Sequence, residues 1–191
     1  FEALFVAHQL RMQAAWLQEA LGEAERRALI DPLTQLWNRQ GMRTMLPAMV
    51  RRAEREGLKV AFIYGDLDHF KRINDEYGHA GGDQVLIQSG QRMVAAIRPS
   101  DMALRLGGEE LAVLALVADE QELGVMAERL RLAFCRQPFE LEVGALDVTI
   151  SLGIAVAEPS EVGDDGHPLV ERADAGLYQA KREGRNRVVR G

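Results

Sequence analysis

The sequence has a single cysteine, few aromatic residues and no long apolar run. Because Cys135 is the only cysteine among 191 residues, no disulfide can form within the chain, which is typical of a protein kept in a reducing compartment. Cys135 lies on the apolar repeat of a helical stretch, so we predict that its thiol is buried and inert. No apolar run approaches the roughly 20 residues that a membrane span requires, and we expect a cytoplasmic location.

Positive charge is also scarce. Lysine and arginine number 23 against 29 aspartates and glutamates, which gives a net charge of −6, and both signs are scattered along the chain. This balance argues against a nucleic-acid-binding surface. The four histidines show no metal-ligand spacing. Apolar residues make up 47% and charged residues 27%, as in an ordinary globular domain that can bury a core.

The first 30 residues predict a separate helix. They contain no proline, and their apolar residues recur at alternating spacings of four and three: Ala3, Ala7, Leu10, Ala14, Leu17, Leu21, Ala24 and Ala28. This narrow seam favours a parallel two-stranded coiled coil over a single amphipathic helix packed on its own domain. Because half of the seam is alanine, we expect the pairing to be weak. The chain is thus divided into a stalk, residues 1–30, and a domain, residues 31–191.

The domain mixes helices and strands and is assigned to the α/β (α+β) class. Apolar periodicity predicts helices over residues 41–56, 70–77, 82–97, 120–136 and 169–183. It predicts strands over residues 59–66, 102–106, 110–117, 139–143, 146–157 and 187–190. Two of these strands flank Gly107-Gly108 as an antiparallel hairpin, so the order departs from strict βαβ alternation.

Two acidic pairs lie at the ends of apolar runs that are typical of buried strands. Asp66 and Asp68 end the first run, and Glu109 and Glu110 follow the glycines of the hairpin. If the two strands are neighbours, these carboxylates meet at one edge of the sheet. Oxygen ligands without histidine or cysteine suit Mg²⁺ and a phosphate-bearing substrate. The alternative is that the aspartates cap a helix and the glutamates are ordinary turn residues.

These motifs resemble the signature blocks of the GGDEF family, the diguanylate cyclases. The hairpin reads GGEEL over residues 107–111, with Glu109 where the family has Asp and Leu111 where it has Phe. Four further blocks follow the family order. Residues 31–39 match D-x-L-T-x-L-x-N-R, residues 66–75 match D-x-D-x-F-K-x-x-N-D, and residues 151–155 match S-x-G-x-A. Residues 173–186 match A-D-x-A-L-Y-x-A-K-x-x-G-R-N except at Gly176. The resemblance implies a nucleotidyl-cyclase or polymerase-palm fold, a βαββαβ sheet flanked by helices.

The resemblance also implies an activity. The family joins two GTP molecules into cyclic di-GMP and releases two pyrophosphates, and each domain binds one GTP, so the active site is shared across a homodimer. Two Mg²⁺ ions, with Mn²⁺ as an alternative, would be held by Asp66, the carbonyl of Leu67 and Glu109, with Glu110 as a third acidic participant. Glu109 or Glu110 would assist removal of the hydroxyl proton. For Asp68, helix capping is a sufficient role.

The substrate-binding residues follow from the same resemblance. Asn74 and Asp83 would recognise guanine, although a turn at Asn74 and a helix cap at Asp83 are alternatives. Lys181 and Arg185 would bind the phosphates, the alternative being charges that complement a helix dipole. The full implied set is Asn74, Asp83, Phe70, Lys71, Gly107, Gly108, Lys181 and Arg185.

A second site is implied upstream of the hairpin. Arg98 and Asp101 match an R-x-x-D product-inhibition motif that would bind cyclic di-GMP, the alternative being a surface loop. A catalytically inactive domain that acts as a GTP or cyclic di-GMP receptor is the rival hypothesis, and the presence of every acidic and basic site residue disfavours it. Because the sequence begins at Phe1, we expect an upstream sensor domain, and a membrane anchor in the longer protein is compatible with this expectation.

Overall fold

The computed structural model describes residues 12–13, 15–17, 22, 28–142 and 144–191. Most of the predicted stalk over residues 1–30 therefore lies outside the described residues, and its pairing stays a prediction. Positions 12–13, 15–17, 22 and 28 are helical. Within the described part of the chain, no helix is long and apolar enough to cross a membrane.

The domain is built on a five-stranded sheet. Its strands are β1 (Lys59–Leu67), β2 (Met102–Gly107), β3 (Glu110–Val117), β6 (Ile150–Ala157) and β7 (Val188–Arg190), in the spatial order β2-β3-β1-β6-β7. The central strand β1 is antiparallel to both β3 and β6, and β7 pairs in parallel with β6. A separate two-stranded hairpin consists of β4 (Phe139–Leu141) and β5 (Gly144–Leu146).

Helices cover both faces of the sheet. They are α1 (Arg39–Glu56), α2 (Phe70–Ala96), α3 (Glu120–Cys135) and α4 (His167–Arg182), and a 3-10 turn spans Pro159–Glu161. Side chains alternate along β1, so that Phe62 and Tyr64 pack with α1 and α4, whereas Ile63 and Leu67 pack with α2 and α3. The predicted α+β fold class is confirmed, with the β4–β5 hairpin inserted before β6.

Three local predictions can be compared with the structure. The two helices predicted over residues 70–77 and 82–97 are both present within α2 and meet at Gly78, whose backbone is non-helical, with a φ of 70° that glycine adopts without steric cost. The strands predicted over 139–143 and 146–157 are divided differently, because a hairpin with Gly144 at φ 132° ends before β6 begins. Cys135 is exposed rather than buried, because it is the last residue of α3 and the neighbouring Phe134 fills the core instead.

Candidate active site

The structure brings the two acidic pairs to one edge of the sheet. In the antiparallel pairing of β1 with β3, Asp66 lies opposite Glu110. The backbone N–H of Leu67 donates to the carbonyl of Glu109 at 3.4 Å. Side chains at paired positions share one face, so Asp66 and Glu110 both point toward the side of the sheet that carries α1 and α4. Leu111 points to the other face and is fully buried, as its place in the alternation predicts.

Asp66 is a largely buried carboxylate with a cation beside it. The Nζ atom of Lys181 lies 2.8 Å from Asp66 Oδ2. Burial raises the pKa of Asp66, and the ion pair with Lys181 lowers it. The negative charges of Glu109 and Asp68 raise it further, so the pKa of Asp66 lies above its ordinary value. A carboxylate destabilised in this way favours additional positive charge nearby.

The donor set at this edge fits a hard divalent cation. The groups are the carboxylates of Asp66, Glu109 and Glu110 and the carbonyl of Leu67, all of them oxygen donors of the kind that Mg²⁺ prefers. Among the described residues, no three acidic, histidine or cysteine side chains already enclose a metal position. Lys181 supplies the positive charge at Asp66 in this structure.

Tyr64 lies near Glu110 on the same face of the sheet, and the sequence did not identify it as a candidate site residue. It is two residues before Asp66 on the same face of β1 and is 7% exposed. Burial raises the pKa of Tyr64 to about 12, and the negative charge of Glu110 adds to that effect. Tyr64 therefore stays protonated at any physiological pH. Strand alternation was the signal that would have placed it there.

The glycine turn between β2 and β3 is fixed by an arginine. Nε and Nη2 of Arg105 donate to the carbonyl of Gly108 at 3.0 and 2.9 Å. The Nη1 atom of Arg105 lies 3.2 and 3.1 Å from the two carboxylate oxygens of Asp31. A Cβ at Gly107 would come within 3.3 Å of Glu110 Oε2, so a larger residue would crowd that carboxylate.

Asp31 in turn is held by its own local contacts. Its Oδ2 accepts from the backbone N and the hydroxyl of Thr34 at 2.8 and 2.7 Å. Burial alone would raise the pKa of Asp31, but the hydrogen bonds from Thr34 and Arg105 outweigh it and hold the pKa below its usual value. The first motif of the domain is thereby joined to the glycine turn, a connection that the sequence analysis missed.

The two candidate base-reading residues both lie on α2. Asn74 and Asp83 lie on either side of the kink at Gly78. A Cβ at Gly82 would collide with Asn74 Oδ1, so the Asn74 amide lies directly against the residue that precedes Asp83. Both residues are inside the helix, so a turn at Asn74 and an N-terminal cap at Asp83 are wrong.

Phe70 and Lys71 differ in their accessibility. The ring of Phe70 is 6% exposed and belongs to the core on the α2–α3 face, and its contact with substrate stays a prediction. A Cβ at Gly82 would lie 3.2 Å from the Phe70 ring, which places the ring beneath the Asn74 region as packing support. Lys71 is exposed at the start of α2.

The two candidate phosphate-binding residues flank the end of α4. Lys181 is in the last turn of the helix, beside Asp66. Arg185 lies in the turn that follows, is exposed, and has a left-handed backbone with φ 65°. Its backbone N–H donates to the carbonyl of Ala180 at 2.9 Å. The structure thus places one cation at the acidic edge and a second on the adjoining turn.

Asp68 does not cap a helix, contrary to its assignment from the sequence. The residue before α2 is His69, and it makes no side-chain cap hydrogen bond. Asp68 is 6% exposed, and its carboxylate accepts from the hydroxyls of Thr149 and Ser151, both at 2.6 Å, and from the backbone N–H of Asn186 at 3.1 Å. It therefore joins β1, the start of β6 and the turn after α4.

The candidate inhibitory residues line a cavity of about 330 Å³ rather than a featureless loop. Its other lining residues include Leu36, Trp37 and Ile97. The backbone N–H of Arg98 donates to Asp101 Oδ2 at 3.0 Å. Burial raises the pKa of Asp101 despite the contacts with Arg98. The guanidinium of Arg98 is paired with Glu122 at 2.6 Å.

Comparison with known proteins points to the family that the motifs resemble. The family model described as "Diguanylate cyclase, GGDEF domain" matches residues 28–187. The chain is similar to Diguanylate cyclase DgcP of Pseudomonas aeruginosa, with 39% identity over 182 residues that make up 95% of this chain and 26% of that protein. It is also similar to Response regulator PleD of Caulobacter vibrioides, with 37% identity over 183 residues, 95% of this chain and 40% of that protein.

The chain therefore spans between about a quarter and two fifths of the length of these curated relatives. A solved structure of the coiled coil and GGDEF domain of DgcB from Caulobacter crescentus, in complex with c-di-GMP, has a TM-score of 0.83 and 32% identity. The match covers 93% of this chain and 93% of that chain. The predicted family resemblance and fold class are confirmed.

Proposed function

Because this chain belongs to the GGDEF family of diguanylate cyclases, we propose that it joins two GTP molecules into cyclic di-GMP with release of two pyrophosphates. The observation that carries the proposal is the acidic edge of the sheet. There Asp66 lies opposite Glu110, Lys181 lies 2.8 Å from Asp66, and the Gly107-Gly108 turn adjoins them. This arrangement provides acidic and basic groups together, as a metal-bound triphosphate requires.

Asp66, the carbonyl of Leu67, Glu109 and Glu110 are the residues that would hold two Mg²⁺ ions, with Mn²⁺ as an alternative. When bound, the metal lowers the pKa of a coordinated hydroxyl and neutralises charge on phosphate oxygens. Glu109 or Glu110 would assist removal of the proton of the attacking 3′-hydroxyl. Tyr64, two residues before Asp66 on the same face of β1, would keep a protonated hydroxyl beside Glu110.

Recognition of GTP is assigned to two groups of residues. Asn74 and Asp83 offer an amide and a carboxylate, which together match the hydrogen-bonding edge of guanine. Lys181 and Arg185 would bind the phosphates of GTP. Lys71 and the backbone N–H groups of Gly107 and Gly108 would contribute further contacts to the substrate.

Two further features complete the proposal. Because each domain offers one set of nucleotide-binding residues, bond formation requires a second copy that faces the first. Arg98 and Asp101 would bind the product and limit the activity, since arginine binds phosphate and aspartate pairs with guanine. An upstream sensor domain and a cytoplasmic location stay predictions.

The test is to incubate the purified chain with GTP and Mg²⁺ and to measure cyclic di-GMP and pyrophosphate together. We expect both products at a ratio of one to two, none with ATP, and none after chelation of the metal. Asp66→Ala serves as the matched inactive variant, with its melting temperature as a check of folding. Tight GTP or cyclic di-GMP binding without turnover would favour the inactive-receptor hypothesis instead.

A further inference from the structure

The turn after α4 has strained backbone at two successive residues. Arg185 and Asn186 have φ values of 65° and 45°, and neither is glycine. Residues with a Cβ occupy this left-handed region at an energetic cost, so two in succession persist only where surrounding contacts hold them. Within the described residues, the guanidinium of Arg185 makes no hydrogen bond, so the backbone of this turn sets the direction of the side chain.

Two side chains from other elements hold Asn186. Asp68, at the end of β1, accepts the backbone N–H of Asn186 at 3.1 Å. Arg131, on α3, donates through Nη1 to Asn186 Oδ1 at 2.7 Å and to the Asn186 carbonyl at 3.5 Å. Both contacts are to the residue that directly follows Arg185, so they fix the strained pair at its second member.

Asp68 is itself rigidly placed. The hydroxyls of Thr149 and Ser151 donate to its two carboxylate oxygens at 2.6 Å each, and its backbone N–H donates to the carbonyl of Thr149 at 2.9 Å. Hydrogen bonds to a buried carboxylate are strong and directional. Because Asp68 is two residues after Asp66, the end of the strand that carries the proposed metal ligand also sets the position of the turn that carries Arg185.

From these contacts we propose that Asp68 and Arg131 are positioning residues for nucleotide binding. They hold Asn186 and thereby point Arg185 at the phosphates of the bound nucleotide, without touching the nucleotide themselves. This inference rests on the proposed function, in which Arg185 binds phosphate. It predicts that losing either contact weakens binding of the triphosphate selectively and leaves recognition of the base intact.

The experiment is a calorimetric titration of the full chain with GTP and with GMP in Mg²⁺. In Asp68→Asn we expect GTP affinity to fall about tenfold, the size of one lost charge-assisted contact, and GMP affinity to stay within about twofold. Arg185→Ala should show the same selective loss. Because both substitutions remove the same interaction, that of Arg185 with the phosphates, the variant that combines Asp68→Asn with Arg185→Ala should bind GTP no more weakly than Arg185→Ala alone.

Arg131→Gln keeps the inference testable if Asp68→Asn fails to fold, because Arg131 is partly exposed on α3, whereas Asp68 is buried. We expect a GTP-selective loss of about two- to fivefold, again not additive with Arg185→Ala. Arg129→Gln and Asp119→Asn are the controls, since they remove an arginine of the same helix and a carboxylate at the opposite edge of the sheet, neither in contact with Asn186, and neither should change nucleotide affinity.

The outcomes separate the inference from its premise. If Arg185→Ala leaves GTP affinity unchanged, the phosphate assignment in the proposed function is wrong and the inference fails with it. If Arg185→Ala weakens GTP binding but Asp68→Asn and Arg131→Gln do not, only the inference is wrong. Losses that add fully in the combined variants, or equal losses for GTP and GMP, also overturn it.

Discussion

At the scale of single residues, the carboxylate of Asp66 experiences opposing electrostatic effects. Burial and the charges of Glu109 and Asp68 raise its pKa, and the ion pair with Lys181 lowers it, with a net rise. A carboxyl group whose pKa is higher in the folded state binds protons more tightly there. The folded protein therefore loses stability as the pH rises from the unfolded pKa, near 3.8, through the folded pKa, and the full penalty is present at neutral pH.

Asp66→Asn removes this penalty and should stabilise the protein while abolishing turnover. We expect a higher melting temperature than wild type at neutral pH, with a difference that shrinks as the pH falls toward about 4. Thermal melts in the absence of nucleotide over a pH series measure it, and Asp147→Asn, at an exposed aspartate, is the control. A lower melting temperature for Asp66→Asn at neutral pH would show that the Lys181 pair outweighs burial.

Glu122 is a second residue whose substitution has a specific expected effect, because its carboxylate forms an ion pair with the guanidinium of Arg98. Its Oε1 lies 2.6 Å from Arg98 Nη2, and its Oε2 accepts the backbone N–H of Ala118 at 2.7 Å. A phosphate that binds Arg98 must compete with this ion pair. Glu122→Gln should tighten cyclic di-GMP binding by about two- to fivefold, the size of a partly exposed ion pair.

Calorimetry with cyclic di-GMP tests the effect of Glu122→Gln. Glu120→Gln is the matched control, since Glu120 pairs with Arg190 and not with Arg98. Unchanged or weaker product binding in Glu122→Gln would contradict competition for Arg98.

At the scale of elements, the β2–β3 hairpin depends on Arg105, which bonds the Gly108 carbonyl through two nitrogens and Asp31 through a third. Lysine has one charged nitrogen and cannot reproduce this fork. We expect Arg105→Lys to reduce turnover about tenfold and to speed amide exchange over residues 108–110. Arg52→Lys, at an exposed helical ion pair, is the control. Wild-type exchange and turnover in Arg105→Lys would show that the turn is rigid without the fork.

The elements that could be predicted from the sequence are those defined by local pattern. Asp66 follows one apolar run and Glu110 precedes another, and the structure pairs these two residues. The links between elements were missed because their partners are far apart in sequence. Asp68 is separated by 118 residues from Asn186, and Arg105 by 74 residues from Asp31. No periodicity connects such positions, so Asp68 was assigned the local role of a cap.

Tertiary packing sets the environments of two further residues, Phe70 and Cys135. The sequence alone does not show which neighbours surround their side chains. The ring of Phe70 fills the core beneath Gly82, and Cys135 is turned outward at the end of α3. Tyr64 shows the converse case, in which strand alternation alone would have placed it beside the acidic edge.

At the scale of the whole molecule, the proposed reaction requires two copies of the domain. The part of the chain that the structure describes has one acidic edge and one proposed pair of base-reading residues, so under the proposed function the rate of bond formation depends on how often two domains face each other. The predicted stalk would raise the effective concentration of one domain near its twin. Because half of its predicted seam is alanine, the pairing should be weak and easily biased by an attached domain.

We therefore expect activity to depend on protein concentration and on the stalk. Leu17→Asp combined with Leu21→Asp would place four carboxylates in a dimer seam and disfavour association. Specific activity should fall at low protein concentration and recover at high concentration, because a weaker pair still forms by mass action. Sedimentation and rate measurements over one dilution series test this, with a double substitution away from the seam and its flanking positions, Gln9→Asp and Ala15→Asp, as the control. If the seam variant matches wild type in activity per domain at every concentration, the stalk is not the element that brings two active sites together.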